Sequence, residues 1–511
     1  MNRVYHLYSL LAIGVFFSFF STLGFVPLFD LDEGAFSEAT REMLQSGNYL
    51  TTYLDGNLRF DKPILIYWFQ ALSVKIFGLN EFALRFPSAL SASFWVLATF
   101  LFVKRFFNIQ SAFLASFFMI CSLQITIIAK AAIADALLNL FIALSMFSIY
   151  KLYQTKKSKF IYLTYIFVAL GTLTKGPVAI LIPLVVSFIF FAFKMEIKFW
   201  FKSVFNPKAL GVFFLIATPW YILEYIDQGQ KFIDGFFLKH NLERFDEAME
   251  GHYGSFLYYI PVLLIGLLPF SYLILRVFVK FKDIIKNDLF LFLFIWFLFV
   301  FIFFSFSGTK LPHYIIYGYT PLFILGAIFY DLKVKSFWTV FPSVMLYMIL
   351  LILPLIFFIG GVDMIQDEFA KEILKESLVL FDFKYFAILI VASLLSFILI
   401  KSNWTNYTKL LITGLMFIGV INFLILPLVA NAKQMPIKEA ALLAKKNNYQ
   451  VKMYRINTPS FVFYMQQLSK KGKLESGDIV FTKVNRLKNI KKYDIIYQKR
   501  GVALIKVKEI D

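Results

Sequence analysis

The apolar residues of this chain come in long runs, and short clusters of charged residues separate the runs. Individual runs, such as those at 7–29, 177–193 and 337–358, are about 17 to 25 residues long. A helix of that length crosses the hydrocarbon core of a bilayer, which is roughly 30 Å thick. The pattern predicts thirteen membrane-spanning helices, at 7–29, 82–103, 109–129, 134–153, 159–174, 177–193, 209–226, 255–278, 289–307, 314–330, 337–360, 385–400 and 410–430.

The distribution of lysine and arginine over the connecting segments predicts their orientation. Basic residues concentrate in alternate connectors, including those at 104–105, 151–159 and 194–208. Short connectors rich in lysine and arginine face the cytoplasm. The other connectors, of which residues 30–79 are the longest, are therefore expected outside, and an odd number of spans places the C-terminal segment outside as well.

The first outer loop, residues 30–79, has helical patterns of its own. Residues 33–46 are polar and end at Gly47, which predicts a helix. Residues 63–77 are apolar, with Pro63 at the first helical position, and predict an interfacial helix that lies flat on the membrane. A full span is the alternative for this segment, because its length is borderline.

Residues 431–511 predict a small α/β domain after a membrane domain at 1–430. Helices are expected at 436–446 and after Thr458-Pro459, and strands near 450–455, 478–482, 493–498 and 502–507. This domain contains 18 Lys and Arg against 6 Asp and Glu, a net charge of +12 within the +19 of the whole chain. The C-terminal domain is therefore strongly basic.

Composition supports the membrane interpretation and excludes a soluble enzyme. Hydrophobic residues make up 59% of the 511 positions and charged residues only 16%, whereas charged residues approach roughly a quarter of a soluble domain. The single cysteine, Cys121, excludes a disulfide framework and a cysteine-based zinc site.

Carboxylates beside the spans are candidates for chemistry, because they are costly there without a partner. Asp32 and Glu33 follow the first span, and alone they fit a solvated helix start that the helix dipole favours. Asp61, Asp135 and Lys175 are expected at the same outer face of the membrane. This convergence favours a functional site.

Three of the four histidines, His240, His252 and His313, fall in predicted outer loops. Their spacing matches no local metal motif, so a metal or phosphate site remains open beside the simpler interpretation as surface residues. The sequence contains no P-loop and no dinucleotide-binding fingerprint. No nucleotide cofactor is therefore expected, and an energy-rich substrate must arrive already activated.

The first outer loop also has the most distinctive sequence. The segments LDEGAFSEATREML (31–44) and FDKPILIYWFQALSVKIFGLNEFALRFPSAL (60–90) resemble the first outer loop of GT-C membrane glycosyltransferases. The most similar branch is that of the undecaprenyl-phosphate-aminoarabinose lipid A transferases and their dolichyl-phosphate-mannose-protein mannosyltransferase relatives. Shorter matches follow in order up to about residue 330: IADALL (133–138), TKGPVAILIP (174–183), KHNLERF (239–245), GHYGSFLYYIPVLLIGLLPF (251–270) and SGTKLPHYIIYGYTP (307–321).

The resemblance implies an α-helical polytopic GT-C fold with about thirteen transmembrane helices and a small periplasmic α/β domain at the C-terminus. It implies an inverting transfer of a sugar from an undecaprenyl- or other polyprenyl-phosphate donor to lipid A, another glycolipid or a protein. The reaction would take place at the periplasmic face of the bacterial inner membrane, with no nucleic-acid partner. The alternative is a transporter or flippase of lipid-linked glycans, which charges within the spans would favour.

The same resemblance implies roles for individual residues. The catalytic residues would be Asp32, as the base that accepts the acceptor's proton, and Glu33 beside it. The donor phosphate would be bound by Lys62, Arg244 and Lys310. The residues shaping the site would be Asp61, Asp135, Lys175, His313 and Tyr314. A divalent cation, if one is used, would be held by Asp32, Asp135 and His240.

Two positions depart from the family's pattern. Asp61 stands where relatives often carry Glu, and Gly34-Ala35-Phe36 stands where they often carry Ala-Arg-Tyr. These differences leave the identity of the sugar open.

Overall fold

The computed structural model describes residues 2–243, 254–330 and 334–509, and it confirms a polytopic α-helical protein. Seven helices in this part of the chain are long and apolar enough to cross a membrane: Glu81–Phe106, Asp135–Thr155, Pro207–Gln228, Asp288–Phe306, Ser336–Phe358, Phe383–Lys401 and Asn406–Lys433. A bent pair of helices brings the number to eight. Shorter apolar helices account for several further predicted spans, so the number thirteen is not confirmed.

The remaining helical segments are shorter than these. In the first half of the chain they are Asn2–Val15, Phe16–Phe20, Asp32–Ser46, Leu65–Phe77, Ile109–Cys121, Leu123–Ala129, Lys159–Lys175, Val178–Phe193, Ile197–Val204, Gln230–Phe232 and Ile233–Glu243. In the second half they are Phe256–Tyr258, Tyr259–Gly266, Ser271–Leu275, Arg276–Lys280, Phe281–Lys286, Pro312–Gly318, Tyr319–Ile328, Gly361–Met364, Glu368–Ser377, Leu378–Leu380, Met435–Lys446, Pro459–Met465 and Val484–Asn489.

The first predicted span, 7–29, was too long. The helix ends at Phe20, and the chain continues irregularly to Leu31. Three carbonyl groups in this irregular part accept hydrogen bonds from one buried side chain, Arg85. Hydropathy could not reveal this end, because a distant arginine replaces the hydrogen bonds that a helix would supply.

Two other predicted spans are broken, and the breaks meet. The run 109–129 bends by 70° at Ser122, and the run 255–278 divides into short helices around residues 267–270. Ser122 donates its hydroxyl to the carbonyl of Gly266, at 2.7 Å, and the N–H of Leu123 donates to the carbonyl of Leu268, at 3.0 Å. Each break therefore satisfies polar groups that the other exposes, which is how helices inside membrane proteins tolerate interruption.

The first outer loop contains two helices and a short hairpin. The polar helix Asp32–Ser46 ends at Gly47, whose φ of 72° is the left-handed conformation that glycine adopts readily. The hairpin pairs strands Tyr53–Leu54 and Asn57–Leu58. The second helix begins at Leu65 rather than at Pro63, and it exposes an apolar face formed by Trp68, Phe69, Leu72 and Ile76. Such a face is typical of a helix at the membrane surface.

The C-terminal part has the predicted α/β architecture. A four-stranded sheet contains Val451–Tyr454, Ile479–Lys483, Val502–Glu509 and Lys492–Lys499, in that spatial order. The first two of these strands are parallel and the other pairs antiparallel. Phe461 of the helix Pro459–Met465 stacks on Phe481 of the sheet, with ring centroids 4.1 Å apart. The same helix packs against Asp32–Ser46 of the first outer loop.

Candidate active site

Arg85 fixes the backbone that leads to Asp32. It lies on the membrane helix Glu81–Phe106, is 2% exposed, and uses all five of its N–H donors. Two donate to the carboxylate oxygens of Glu33, at 2.7 and 2.8 Å. The other three, at 2.7 to 2.8 Å, donate to the carbonyl groups of Leu23, Val26 and Pro27. The irregular segment before Asp32 is therefore held by one guanidinium.

Glu33 accepts four hydrogen bonds in this arrangement. Besides Arg85, the backbone N–H groups of Phe29 and Ala132 donate to its carboxylate, at 2.8 and 2.9 Å. A carboxylate has about four acceptor positions, so none remains for a substrate proton. The geometry favours a structural role for Glu33 over the catalytic one expected from the sequence.

Asp32 is different from its neighbour, because its side chain is exposed. Within the described residues, no group forms a hydrogen bond or an ion pair with its carboxylate. It stands in the first turn of the helix Asp32–Ser46, where the helix dipole favours a negative charge. The Asp32 carboxylate is therefore available to a substrate.

Asp32 lines a cavity of about 400 Å³, which we call the Asp32 cavity. One wall is the segment around Thr22 and Asp30, and another is the helix Leu123–Ala129 with Lys130 after it. The last membrane helix contributes a third, apolar wall through Ile421, Asn422, Ile425, Leu426 and Val429. The cavity therefore combines a few charged groups with a largely apolar surface, which suits an amphiphilic ligand.

Lys130 is the buried cation of the Asp32 cavity. It is 6% exposed, and its ammonium donates to the hydroxyl of Thr22 at 3.1 Å. No carboxylate of the described residues lies within ion-pair distance. Burial, together with the nearby charge of Arg85, lowers the pKa of Lys130 to about 7. An anion entering the cavity would reverse that shift and bind the protonated ammonium.

Arg59 joins two of the residues expected in the site. This buried guanidinium forms an ion pair with Asp61 at 3.0 Å and donates to the hydroxyl of Tyr67 at 3.3 Å. The charge of Asp32 also acts on Arg59. Lys62, the next residue along the chain, is half-buried and donates to the carbonyl of Asp61 at 2.9 Å. Asp61 and Lys62 are thus placed together with a second cation that the sequence did not single out.

Asp135 forms the centre of a second charged cluster. Its Oδ1 accepts from the ammonium of Lys175 and from the hydroxyl of Tyr317, both at 2.7 Å. Nε2 of His313 lies 4.0 Å from the same oxygen. The ammonium of Lys175 also lies 5.7 Å from the ring centroid of Tyr314. The structure therefore brings together four of the five residues that the resemblance expects to shape the site, and adds Tyr317.

Lys310, the other predicted phosphate ligand among the described side chains, binds the protein's own backbone. Lys310 is 6% exposed and donates to the carbonyl groups of Ser305 and Ser307, at 2.9 and 2.6 Å. Because Ser305 belongs to the last turn of Asp288–Phe306, Lys310 neutralises the end of a helix. The side chains of Arg244 and His240 lie outside the described residues.

The described residues supply no ready metal site. They contain no group of three His, Cys, Asp or Glu side chains placed to hold an ion. Of the three expected ligands, Asp135 is already bound by Lys175 and Tyr317. The cation therefore stays a prediction, and no step of the mechanism below depends on it.

Four residues of the site were not found from the sequence. Arg85 lies within the predicted span 82–103 and Lys130 directly follows the run 109–129, which is a usable signal, because charges are seldom found there without a role. Arg59 and Tyr317 have no such signal. They are recognised only when the fold places them against Asp61 and Asp135.

Comparison with known proteins agrees with this architecture. Residues 61–223 match the family model described as dolichyl-phosphate-mannose-protein mannosyltransferase. An uncharacterized protein of Aquifex aeolicus is 30% identical over 326 residues, which cover 64% of this chain and 73% of that protein. The chain belongs to the GT-C family of membrane glycosyltransferases.

Other relatives of this GT-C chain have names or known structures. The undecaprenyl phosphate-alpha-4-amino-4-deoxy-L-arabinose arabinosyl transferase of Serratia proteamaculans is 29% identical over 321 residues, which cover 60% of this chain and 57% of that enzyme. The chain spans about half the length of most curated relatives that it matches. The crystal structure of ArnT from Cupriavidus metallidurans bound to undecaprenyl phosphate has a TM-score of 0.81 and 16% identity, and the match covers 97% of each chain. That similarity establishes the fold.

Proposed function

We propose that this GT-C protein transfers a sugar from an undecaprenyl- or other polyprenyl-phosphate donor to an acceptor hydroxyl at the periplasmic face of the inner membrane. The observation that supports this function best is the contrast between Asp32 and the acidic groups near it. Glu33 and Asp135 are bound by protein groups, whereas the Asp32 carboxylate is exposed to a cavity. A carboxylate so placed suits the role of a base.

The proposed reaction is a single inverting displacement. The acceptor oxygen forms a bond to the anomeric carbon, the bond between that carbon and the phosphate oxygen breaks, and Asp32 takes the acceptor's proton. The bonding electrons leave with the lipid phosphate, so no oxidant or nucleotide is needed. General-base assistance of this kind contributes about 10²- to 10⁴-fold to a rate.

The leaving phosphate needs cations, and the geometry makes Lys62 the best candidate among the described residues. Lys62 is half-buried beside the Arg59–Asp61 ion pair, and its ammonium donates to the carbonyl of Asp61, so a cation is held at this edge of the site. Arg244 keeps the role that the resemblance implies. Lys310 would need to release two backbone carbonyls before it could contact phosphate, which makes it the weaker candidate.

The Asp32 cavity is the proposed entrance for the acceptor. The apolar wall formed by the last membrane helix suits a lipid chain, and Lys130 suits an anionic group beside the reactive hydroxyl. These features favour an anionic glycolipid such as lipid A over a protein acceptor. The distribution of basic connectors supports a periplasmic position for the first outer loop.

Two experiments test the proposal. Lipid extracts of a deletion strain should lack one sugar increment on a lipid that the parent strain modifies, as measured by mass spectrometry. Complementation with the wild-type protein should restore the increment, and complementation with Asp32→Asn should not. An unchanged lipid profile in the deletion strain, together with unchanged protein glycosylation, would contradict a glycosyltransferase.

A further inference from the structure

The segment Leu28–Asp32 is attached to the C-terminal domain by hydrogen bonds. Asp30 accepts from Ser460 twice: the backbone N–H of Ser460 donates to Oδ1 at 2.9 Å, and its hydroxyl donates to Oδ2. The backbone N–H of Leu28 donates to the hydroxyl of Tyr464 at 2.8 Å. Ser460 and Tyr464 both belong to the helix Pro459–Met465. Four residues more than 400 positions apart in sequence thus join the catalytic loop to the last domain.

Two further contacts reinforce the attachment. Tyr464 donates its hydroxyl to Glu81 at 2.9 Å, and Glu81 also forms an ion pair with Lys438 of the C-terminal domain. Gln434, in the amide orientation that satisfies both of its neighbours, donates to the carbonyl of Leu28 and accepts from the N–H of Asp30, each at 3.2 Å. The backbone at Leu28 and Asp30 is therefore held from the C-terminal domain.

Gly34 makes this close approach possible. A Cβ atom at this position would lie 2.7 Å from the backbone nitrogen of Ser460 and would also collide with Oδ1 of Asp30. Backbone cannot move aside as a flexible side chain can, so any residue larger than glycine would separate Asp30 from Ser460.

We propose that Ser460 is a positioning residue, through which the C-terminal domain sets the place of Asp32 in the active site. Ser460 does not line the Asp32 cavity. It fixes Asp30, which lies two residues before Asp32 and lines the same cavity. Arg85 holds the membrane side of this segment, and Ser460 holds its outer side. The inference rests on the proposed function of Asp32 as the base.

A second serine provides a matched control. Ser469 binds Asp55 in the same way, with its backbone N–H donating to Oδ1 at 2.7 Å and its hydroxyl donating to Oδ2. Asp55 contacts Glu42: the backbone N–H groups of Asp55 and Gly56 donate to the Glu42 carboxylate. Glu42 lies ten residues along the helix from Asp32, a distance of about 15 Å. Loss of this contact should loosen the domain without moving Asp32.

The test compares Ser460→Ala and Gly34→Ala with Ser469→Ala in the full-length protein, purified in detergent. Transfer from polyprenyl-phosphate sugar is measured as kcat and as KM for each substrate. We expect kcat to fall about 10-fold or more for Ser460→Ala and for Gly34→Ala, because small displacements of a catalytic group are costly. Both KM values should stay within twofold of the wild-type value. The double variant Ser460→Ala/Gly34→Ala should have a kcat no lower than that of the slower single variant. Ser469→Ala should keep the wild-type kcat.

Equal kcat for Ser460→Ala and Ser469→Ala would overturn the inference, even with a fully active wild-type protein. Asp30→Asn retains an acceptor for the Ser460 N–H and should lower kcat by no more than Ser460→Ala does. A loss as large as that of Asp32→Asn would mean that Asp30 itself acts on the substrate, and would overturn the inference. If the wild-type protein transfers no sugar, the proposed function fails, and positioning is then measured by amide hydrogen exchange of residues 28–33. Exchange should accelerate in Ser460→Ala and not in Ser469→Ala, and equal exchange would again contradict the inference.

Discussion

The two charged clusters of the site differ in how completely their members are paired. In the Asp135 cluster, one carboxylate oxygen accepts from Lys175 and Tyr317 at 2.7 Å, and His313 stands 4.0 Å away. In the Asp32 cavity, Asp32 and Lys130 line the same space, and among the described residues neither has a partner of opposite charge within ion-pair distance.

This difference separates groups that maintain the structure from groups that are available to a ligand. A buried charge is tolerated when it is paired and hydrogen-bonded, and it is costly otherwise. The Asp135 cluster meets that condition by itself. In the Asp32 cavity, the buried Lys130 meets that condition only when a ligand brings an anion, whereas the Asp32 carboxylate is exposed to that ligand. Four substitutions can break or sharpen this comparison.

Asp32→Asn should have the largest effect on activity. The amide keeps the size of the side chain but cannot accept the acceptor's proton, so kcat should fall by about 10²- to 10⁴-fold. Because the Asp32 carboxylate forms no hydrogen bond or ion pair within the described residues, the thermal unfolding midpoint of the purified protein should change little. A kcat within tenfold of the wild-type value would remove Asp32 from the proposed role.

Lys175→Met should have the largest effect on stability. It removes the nearest cation from the buried Asp135 and leaves only Tyr317 and the more distant His313 beside it, and breaking a buried pair in this way costs about 3 kcal/mol. The unfolding free energy in mixed micelles should show the loss. Adding Asp135→Asn to the same protein should recover much of it, because the stranded charge is then gone. If the single variant were as stable as the wild type, the Asp135 cluster would not have the structural role assigned to it.

Much of the architecture could be predicted from the sequence, because it depends on local signals. The polar helix ending at Gly47 and the strands of the C-terminal domain follow from residue type and period. The ends of the broken spans could not be predicted, because they depend on partners far away in sequence. After the first helix, Arg85 binds three backbone carbonyls of the irregular segment. At the break near Ser122, the hydroxyl donates to Gly266, which is 144 positions away in sequence.

The candidate site was also predicted only in part from the sequence. Asp32, Asp61 and Lys62 were expected because the first outer loop has a distinctive sequence. The different environments of Asp32 and Glu33 were not predicted, because the two are adjacent carboxylates in the sequence. Only the fold places Arg85 against Glu33. One cation of the basic C-terminal domain, Lys471, forms an ion pair with Asp55 of the first outer loop, a contact that residue type alone does not indicate.

Lys130→Met should affect binding of the acceptor and little else. The lost charge-assisted contact should raise KM for an anionic acceptor about tenfold, since such contacts contribute about 1.5 to 3 kcal/mol. KM for the polyprenyl-phosphate donor should not change, and the unfolding free energy should stay constant or rise, because an unpaired buried cation is removed. Lys175→Met should instead lower the unfolding free energy, so the two methionine variants are matched controls for each other. A rise in donor KM would place Lys130 at the donor phosphate instead.

Asp30→Asn should have the smallest effect, and the effect should depend on pH. Burial raises the pKa of Asp30 to about 7, an increase that the hydrogen bonds from Ser460 oppose and the charge of Glu33 assists. Asp32, Lys130 and Arg85 line the same cavity and also face it. The folded protein therefore keeps this proton up to about pH 7, whereas the unfolded chain loses it near pH 4.

Between those two pH values the native state binds more protons than the unfolded state, so stability falls as pH rises from about 4 to about 7 and is then constant. Asparagine does not titrate, so the variant lacks this decrease. Because Asp30 is only half-buried and solvent screens its charge, the variant should be more stable than the wild type by about 1 kcal/mol at pH 8. At pH 4 the two should be equal. Unfolding midpoints measured across this range would contradict the assignment if the difference between the proteins stayed constant.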